Sequence, residues 1–475
     1  MNIFLSKFKW QNGTRINQYL FAILITIPLL SFGMVQGWLS PMITVLKSPS
    51  SPVPFTAGDI SWMTSVTYIT AIVVGAPMGY LTDRYGRKFM TLATTASLIL
   101  YWSIKLFSLR PWALVLARAV AGVPCSACYI VLPIYLKEIS DIDLRGFMGS
   151  LLIMNRNIGY LLSYICCDLL DATLVLWIGL LVPTVTFFVF LVMPETPEFL
   201  VKQGKIEEAK SVLAWLRGVP ATDPALERDI DQAVRVEKKT QADDKTAWGI
   251  ILRDPTTFKA FIITLVIKIT QQFDGYLIVL IYASMVFEKA SESISLQLSP
   301  NKQVILIGVV QLLGSVAATC IVEKTGRKLL LVSTSLAMGV SMALLGSWFY
   351  VTSVGGWLPG WLPVLAMCAC IFADAAGFQP VSYIIITDLF TFQLRGTVSS
   401  FANISAKLSN FVQMKWFTAV SELIGIHWTF AFFSIVSLFA CFYSVLCFPE
   451  TRHKTVDEIY QKLSKRKEEK TDSVP

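Results

Sequence analysis

The sequence predicts an all-α membrane protein: twelve transmembrane helices in two six-helix bundles. Three observations predict it. Of 475 residues, 54% are hydrophobic and only 15% charged, too little charge to cover a soluble protein of this length. Twelve long apolar segments recur along the chain, each near the ~20 residues a helix needs to cross a ~30 Å hydrocarbon layer. The polar punctuation between those segments also occurs twice in the same order, which marks an internal duplication.

In chain order the expected spans are 19–40, 58–81, 90–108, 112–136, 147–169 and 172–192, then 258–286, 303–322, 329–352, 360–386, 398–420 and 427–448. The first run is too long for a secretory signal peptide and lacks small-residue cleavage signals, so it counts as span one. Residues 1–194 make the first bundle and 258–450 the second. Between them, 195–257 mixes Lys, Arg, Asp and Glu freely. Its "KIEEAKSVLAWL" places Ala209, Val212, Leu213 and Leu216 at helical spacing, which predicts short amphipathic helices. Residues 219–247 fit a plain linker better, and 451–475 form a tail.

An even number of spans puts both termini on one side. That side carries Lys7, Lys9, Arg84, Arg87, Lys88, Lys137, Arg145, Lys324, Arg327, Lys328, Arg395 and a basic tail. The opposite loops hold only Lys47, Lys105, Arg110, Lys289 and Lys302. The positive-inside rule then places both termini in the cytoplasm of a multi-pass protein, expected in the plasma membrane. This asymmetry accounts for the net charge of +8, so the partners expected are the lipid bilayer and a small-molecule substrate, not nucleic acid. All nine cysteines lie in spans or at their edges, and there are only two histidines. A disulfide framework, a metal site and a cofactor are therefore not expected. No nucleophile constellation or G-x-x-x-x-G-K-S/T loop supports an enzyme or an ATP-driven pump.

The repeated punctuation is specific. "DRYGRK" (83–88) follows span two and "EKTGRK" (323–328) follows span eight. "KEIS" through "LRG" (137–146) follows span four and "TDLF" through "LRG" (387–396) follows span ten. "PETPE" (194–198) ends span six and "PETRH" (449–453) ends span twelve. A parallel duplication of six spans implies two bundles related by an axis along the membrane normal. Basic and acidic groups at matched helix ends can form a network that breaks when such a protein changes state. The candidates are Asp83, Arg84, Arg87, Glu138, Arg145 and Glu195 in the first half, and Glu323, Arg327, Asp388, Arg395 and Glu450 in the second. Gly86 and Gly326 permit the tight turns that aim the arginines.

Together with the Pro133, Tyr135, Glu138 run, these boxes resemble the sugar porter family of the major facilitator superfamily, over roughly residues 19–460. "GWLSP" in span one and "RNIG" in span five are most similar to its insect facilitated trehalose transporter branch. The resemblance implies the major facilitator fold, alternating access by a single copy of the chain, and charged boxes that hold the outward-facing state. Glu198 departs from it, standing where the family usually has Arg.

The resemblance also implies a sugar site. In span seven Gln271 and Gln272 match the family's paired amides, whereas its asparagine is Leu277 here. An amide offers donors and an acceptor and so suits a neutral polyol. Gln311 stands for the span-eight asparagine, Tyr383 for the span-ten aromatic and Asn410 for the second asparagine of span eleven, while Ile153 replaces a span-five glutamine. Arg118, Arg156, Lys268, Asp274, Asp374 and Lys407 lie inside spans, where charge is expensive and is a functional hypothesis by default. Lys268 and Lys407 could pair with Asp274 and Asp374. Span one has Val35 where proton-coupled relatives place a carboxylate, which favours facilitated diffusion of a sugar such as trehalose or a hexose. The open alternatives are a different or acidic solute, with or without proton coupling, and a non-transporting sensor. A tail of only about 25 residues after Thr451 favours transport over the sensor.

Overall fold

The computed structural model describes residues 16–47, 55–141, 144–230 apart from 221 and 225, 234, 247–291, 300–390, 392–452, and 454–462 apart from 455 and 457. Among the described residues every regular element is helical. The first half comprises α1 (Ile16–Gly37), α2 (Leu39–Lys47), α3 (Ala57–Tyr85), α4 (Arg87–Phe107), α5 (Pro111–Val120), α6 (Gly122–Ile139), α7 (Arg145–Leu169) and α8 (Ala172–Val192). The connecting segment holds α9 (Pro197–Lys202), α10 (Ile206–Arg217) and α11 (Ala247–Arg253). The second half comprises α12 (Pro255–Gln272), α13 (Tyr276–Ser291), α14 (Pro300–Thr325), α15 (Arg327–Ser353), α16 (Trp361–Ala373), α17 (Gln379–Leu389), α18 (Phe392–Leu423) and α19 (Ile426–Cys447), with a π-turn over Asp374–Phe378.

Nine described stretches are long and apolar enough to cross a membrane. The other three expected spans are the long helices α7, α14 and α18: α14 is apolar over the shorter stretch Lys302–Ala318, and α7 and α18 carry Arg156, Lys407 and Lys415. Only a third of the most apolar window of α8, and of α19, is buried in the protein. Phe188, Leu181, Ile435 and Phe442 are each at least 60% exposed. Apolar surface of that extent belongs against lipid.

By contacts the chain forms two compact units. Of the described residues, one contains those up to Val35, Ile69–Ser163, and Leu170 onward into the connecting segment. The other contains Gln36–Tyr68, Tyr164–Leu169 and the whole second half.

In the first unit α1 and α7 approach closely at two glycines. A Cβ added to Gly33 would collide with the Arg156 carbonyl oxygen, and one on Gly159 with that of Leu30. Small residues that let backbones meet are the usual adhesive between membrane helices. α10 packs onto the same unit: Trp215 and Tyr135 both meet the Phe21 ring edge-on, and Asn17 Nδ2 donates to the Trp215 carbonyl at 2.7 Å. Ala209, Val212 and Leu216 are fully buried there, as their spacing predicts, and Gly218 ends the helix with φ 64°. Leu213 is half-buried.

In the second unit α2 packs on α13. Tyr282 Oη donates to Thr64 Oγ1 at 3.2 Å and its ring lies 4.7 Å from that of Phe417. Tyr164 Oη donates to the Leu280 carbonyl at 3.2 Å.

Several spans that read as continuous are interrupted. Span one breaks at Trp38, span four at Ala121, and span seven between Gln272 and Tyr276. Gly275 has φ 91°, a conformation that L side chains rarely adopt, and a Cβ there would press on Met342 and Phe433 at 3.0–3.1 Å. Span ten carries its interruption as the π-turn that Asp374 begins, a device common at functional sites. Irregular backbone at membrane depth persists where protein surrounds it, and these positions are buried.

Candidate functional site

The matched boxes fold into matched clasps. Gly86 (φ 96°) and Gly326 (φ 87°) turn the chain immediately before α4 and α15. Each turn presents free N–H groups at a helix start, and a carboxylate from the far end of its own half accepts them. Glu195 takes Arg87 N at 3.2 Å and Lys88 N at 3.0 Å; Glu450 takes Arg327 N at 3.0 Å and Lys328 N at 3.1 Å. The partial positive charge of a helix N-terminus favours this arrangement. Glycine is required twice over, because a Cβ on Gly86 would also overlap the Glu195 carboxylate. The lysines complete the match: Lys88 Nζ donates to Leu191 O and Lys328 Nζ to Val445 O, both at 2.8 Å.

The two clasps differ in burial. Beside Gly86 the Phe199 ring of α9 closes over the site. Burial pushes the Glu195 carboxyl above its usual range, despite the N–H groups of Thr196, Lys88 and Arg87. Glu450 is less covered; partial burial pushes it up too, but the N–H groups of Arg452, Arg327 and Lys328 prevail and hold it below the usual range. The signs follow. Stability from Glu450 is present above its unfolded pKa and lost as pH falls through the depressed folded one, whereas that from Glu195 is fullest at low pH and lost as pH rises through the raised value. Glu450→Gln should therefore lower the melting temperature of the solubilised protein at neutral pH, with the difference from wild type closing in acid below the ordinary carboxylate range. A difference that persists unchanged in acid would contradict the clasp.

The arginine pairs are unequal. Arg87 Nη2 and Nε bind Glu138 Oε1 at 2.7 and 3.0 Å, with both side chains over 90% buried. Arg87 also meets Asp83 at 3.1 Å, and Thr196 Oγ1 donates to the second Glu138 oxygen at 2.5 Å. The network is thus buried in part, not the screened surface pair its interfacial position suggests. In the second half Arg327 Nε stands 3.6 Å from Asp388, which accepts from Thr451 Oγ1 at 2.7 Å. Arg395 Nε donates to Phe390 O at 2.9 Å, and Arg84 Nη1 to Tyr80 Oη at 3.2 Å on an exposed surface. Arg145 and Glu323 lie on helices, but their side chains are outside the described residues. Glu198 is exposed in the first turn of α9.

The buried polar corner of span seven lies in the second unit. Gln271 and Gln272 end α12 at 1% and 4% exposure. Gln272 Nε2 donates to Gln271 Oε1, and Gln271 Nε2 reaches Asp374 Oδ1 on the π-turn at 3.3 Å. Asp274 Oδ1 accepts the Tyr276 N–H at 2.9 Å, so this carboxylate starts the second half-helix. Its other oxygen has no partner among the described residues. Lys268 Nζ lies 3.3 Å over the Tyr383 ring and 3.2 Å from Ser382 Oγ, so the aromatic of span ten holds a cation. Gln311 and Asn410 are buried, and the carbonyl oxygen of each side chain is unpartnered among the described residues. Lys407 is half-buried on α18.

In the first unit Arg156 Nη1 donates to Tyr129 Oη at 3.2 Å, while Nε and Nη2 reach Asn157 Oδ1 at 3.2 and 3.1 Å. Arg118 is buried on α5.

Three residues escape sequence reasoning. Gln413 is fully buried with neither amide end partnered among the described residues, although its place one turn beyond Asn410 is a legible signal. Gln36 is buried and donates to Tyr68 Oη at 3.4 Å. Tyr282 carries no polar motif, and only the fold brings it to Thr64.

Comparisons with known proteins extend this geometry. The family model described as sugar (and other) transporter matches residues 21–463. The facilitated trehalose transporter Tret1 of Polypedilum vanderplanki is 26% identical, covering 94% of this chain and 88% of that protein. The Tret1 of Culex quinquefasciatus is 27% identical over 95% and 86%. The inward open conformation of the E. coli xylose transporter XylE superposes with a TM-score of 0.77 at 19% identity, covering 94% of this chain and 99% of that one. Its partially occluded inward open form gives 0.74, over 91% and 100%.

Proposed function

Since the chain belongs to the sugar (and other) transporter family, we propose that it is a facilitative carrier of a neutral sugar, with trehalose the first candidate. The observation that carries this reading is the set of buried amides in the second unit. Gln271, Gln272, Gln311 and Asn410 are each at most 4% exposed, and two of them keep an unpartnered acceptor among the described residues. Leaving such groups dry and unpaired costs about 1–3 kcal/mol each. A ligand rich in hydroxyls removes that cost, and amides meet it with donors and acceptors alike. Trehalose is favoured because the Tret1 relatives are named for it.

Uniport is supported by Val35 in span one, which offers no proton-carrying group. An acidic substrate is less well supported, since the Lys268 ammonium is already engaged by Tyr383 and Ser382. The clasps around Arg87 and Arg327 act as the gate on the basic, cytoplasmic side. Tyr282 with Thr64 and Phe417 acts at the other end, and the carrier alternates between the two as a monomer in the plasma membrane. Cells expressing the protein should take up labelled trehalose saturably, with competition by unlabelled sugar. No saturable uptake despite surface expression would contradict the proposal.

A further inference from the structure

We infer that Gln413 is a further sugar-binding residue and that it gives the carrier a preference for two-ring over one-ring sugars. The inference rests on the carrier reading above. Asn410, Gln413, Met414 and Phe417 recur at the spacing of one helical face, and all four are buried. The Phe417 ring sits on Tyr282, so this face of α18 looks at α13. Both helices belong to odd-numbered spans and run in parallel. Gln413 is one turn before Phe417 and Ile278 one turn before Tyr282, so these two stand level. Asn410 and Gly275 are level about 4–6 Å further back. Asn410 therefore shares the height of the span-seven corner, and Gln413 lies one turn beyond it.

Beyond the corner the facing wall of α13 is apolar from Leu277 to Ile281 and buried throughout. Gln413 is fully buried, and neither its Nε2 nor its Oε1 meets a partner among the described residues. Packing alone would be served as well by leucine. A ring bound by Gln271, Gln272 and Asn410 fills the level of the corner. A second ring joined to it extends along α13 and brings hydroxyls to Gln413, which can both donate and accept.

The test compares wild type with Gln413→Leu in cells, with surface protein quantified. Trehalose is measured by its KM for uptake, and glucose by its inhibition of that uptake. The expected result is a trehalose KM raised at least tenfold with glucose inhibition changed less than threefold. No change for either sugar, or an equal loss for both, would overturn the inference. Gln413→Asn keeps the amide on a shorter arm and should fall between the two; a wild-type KM there and in the leucine variant together would equally overturn it. The rise in melting temperature that trehalose produces in purified protein is a readout that a packing role would not move. Gln413→Leu should melt no lower than wild type without sugar and lose most of the rise that trehalose produces. A lower melting point with that rise intact would count against the inference. If wild type takes up no sugar at all, the carrier reading fails, and this inference with it.

Discussion

Replacing Gln271 and Gln272 together by alanine is expected to abolish saturable sugar uptake while leaving surface protein near the wild-type level. Each amide is buried at the end of α12. Each hydrogen bond to a sugar hydroxyl contributes about 0.5–1.5 kcal/mol net. Loss of several such bonds at once weakens binding about a hundredfold. The fold should survive, because α12 is anchored independently. Asp254 caps it through Thr256 N and Thr257 N at 3.3 and 3.0 Å, with Pro255 at its first position. Asp374 does lose the Gln271 donor. Gln271→Ala alone should therefore lower stability more than Gln272→Ala, while both lower affinity. An unchanged KM in the double variant would remove these residues from the site.

Removing the Glu138 carboxylate should be the most damaging change at the charged boxes. Glu138→Ala leaves the Arg87 guanidinium buried without its main acid, an error that typically costs 3–5 kcal/mol. Asp83, more than half exposed, offers little compensation. The second half provides the control. Arg327 and Asp388 stand 3.6 Å apart with more solvent around the carboxylate, so Asp388→Ala should cost less than Glu138→Ala. The melting temperatures of the two variants in detergent decide the matter. Equal losses would show that the two networks are equally strong, contrary to the geometry.

The helical spans and the amphipathic loop helix were legible in the sequence because each rests on apolar length and periodicity, which burial and lipid both enforce. The clasps were legible as residues but not as bonds. The repeated Gly-Arg-Lys and Pro-Glu-Thr boxes mark the groups, yet only the fold shows Glu195 and Glu450 serving helix starts more than a hundred residues earlier in the chain. The breaks in spans seven and ten were hidden because the apolar run continues through them. Asp274 reads as an intramembrane charge until the Tyr276 N–H is seen on it. Lys268 reads as a partner for an aspartate, and only the fold shows that Tyr383 and Ser382 also meet its ammonium. Gln413 falls outside the positions that the resemblance marks. The clustering of Gln36–Tyr68 with the second half has no sequence signal at all, since Tyr282 and Thr64 meet across more than two hundred residues.

The central claim is facilitated transport of a neutral sugar, and proteoliposomes test it most directly. Labelled trehalose should enter saturably and stop at equal concentrations inside and outside, with no change when a pH gradient is imposed. Accumulation above the outside concentration that follows the pH gradient, or no entry by correctly inserted protein, would contradict the account.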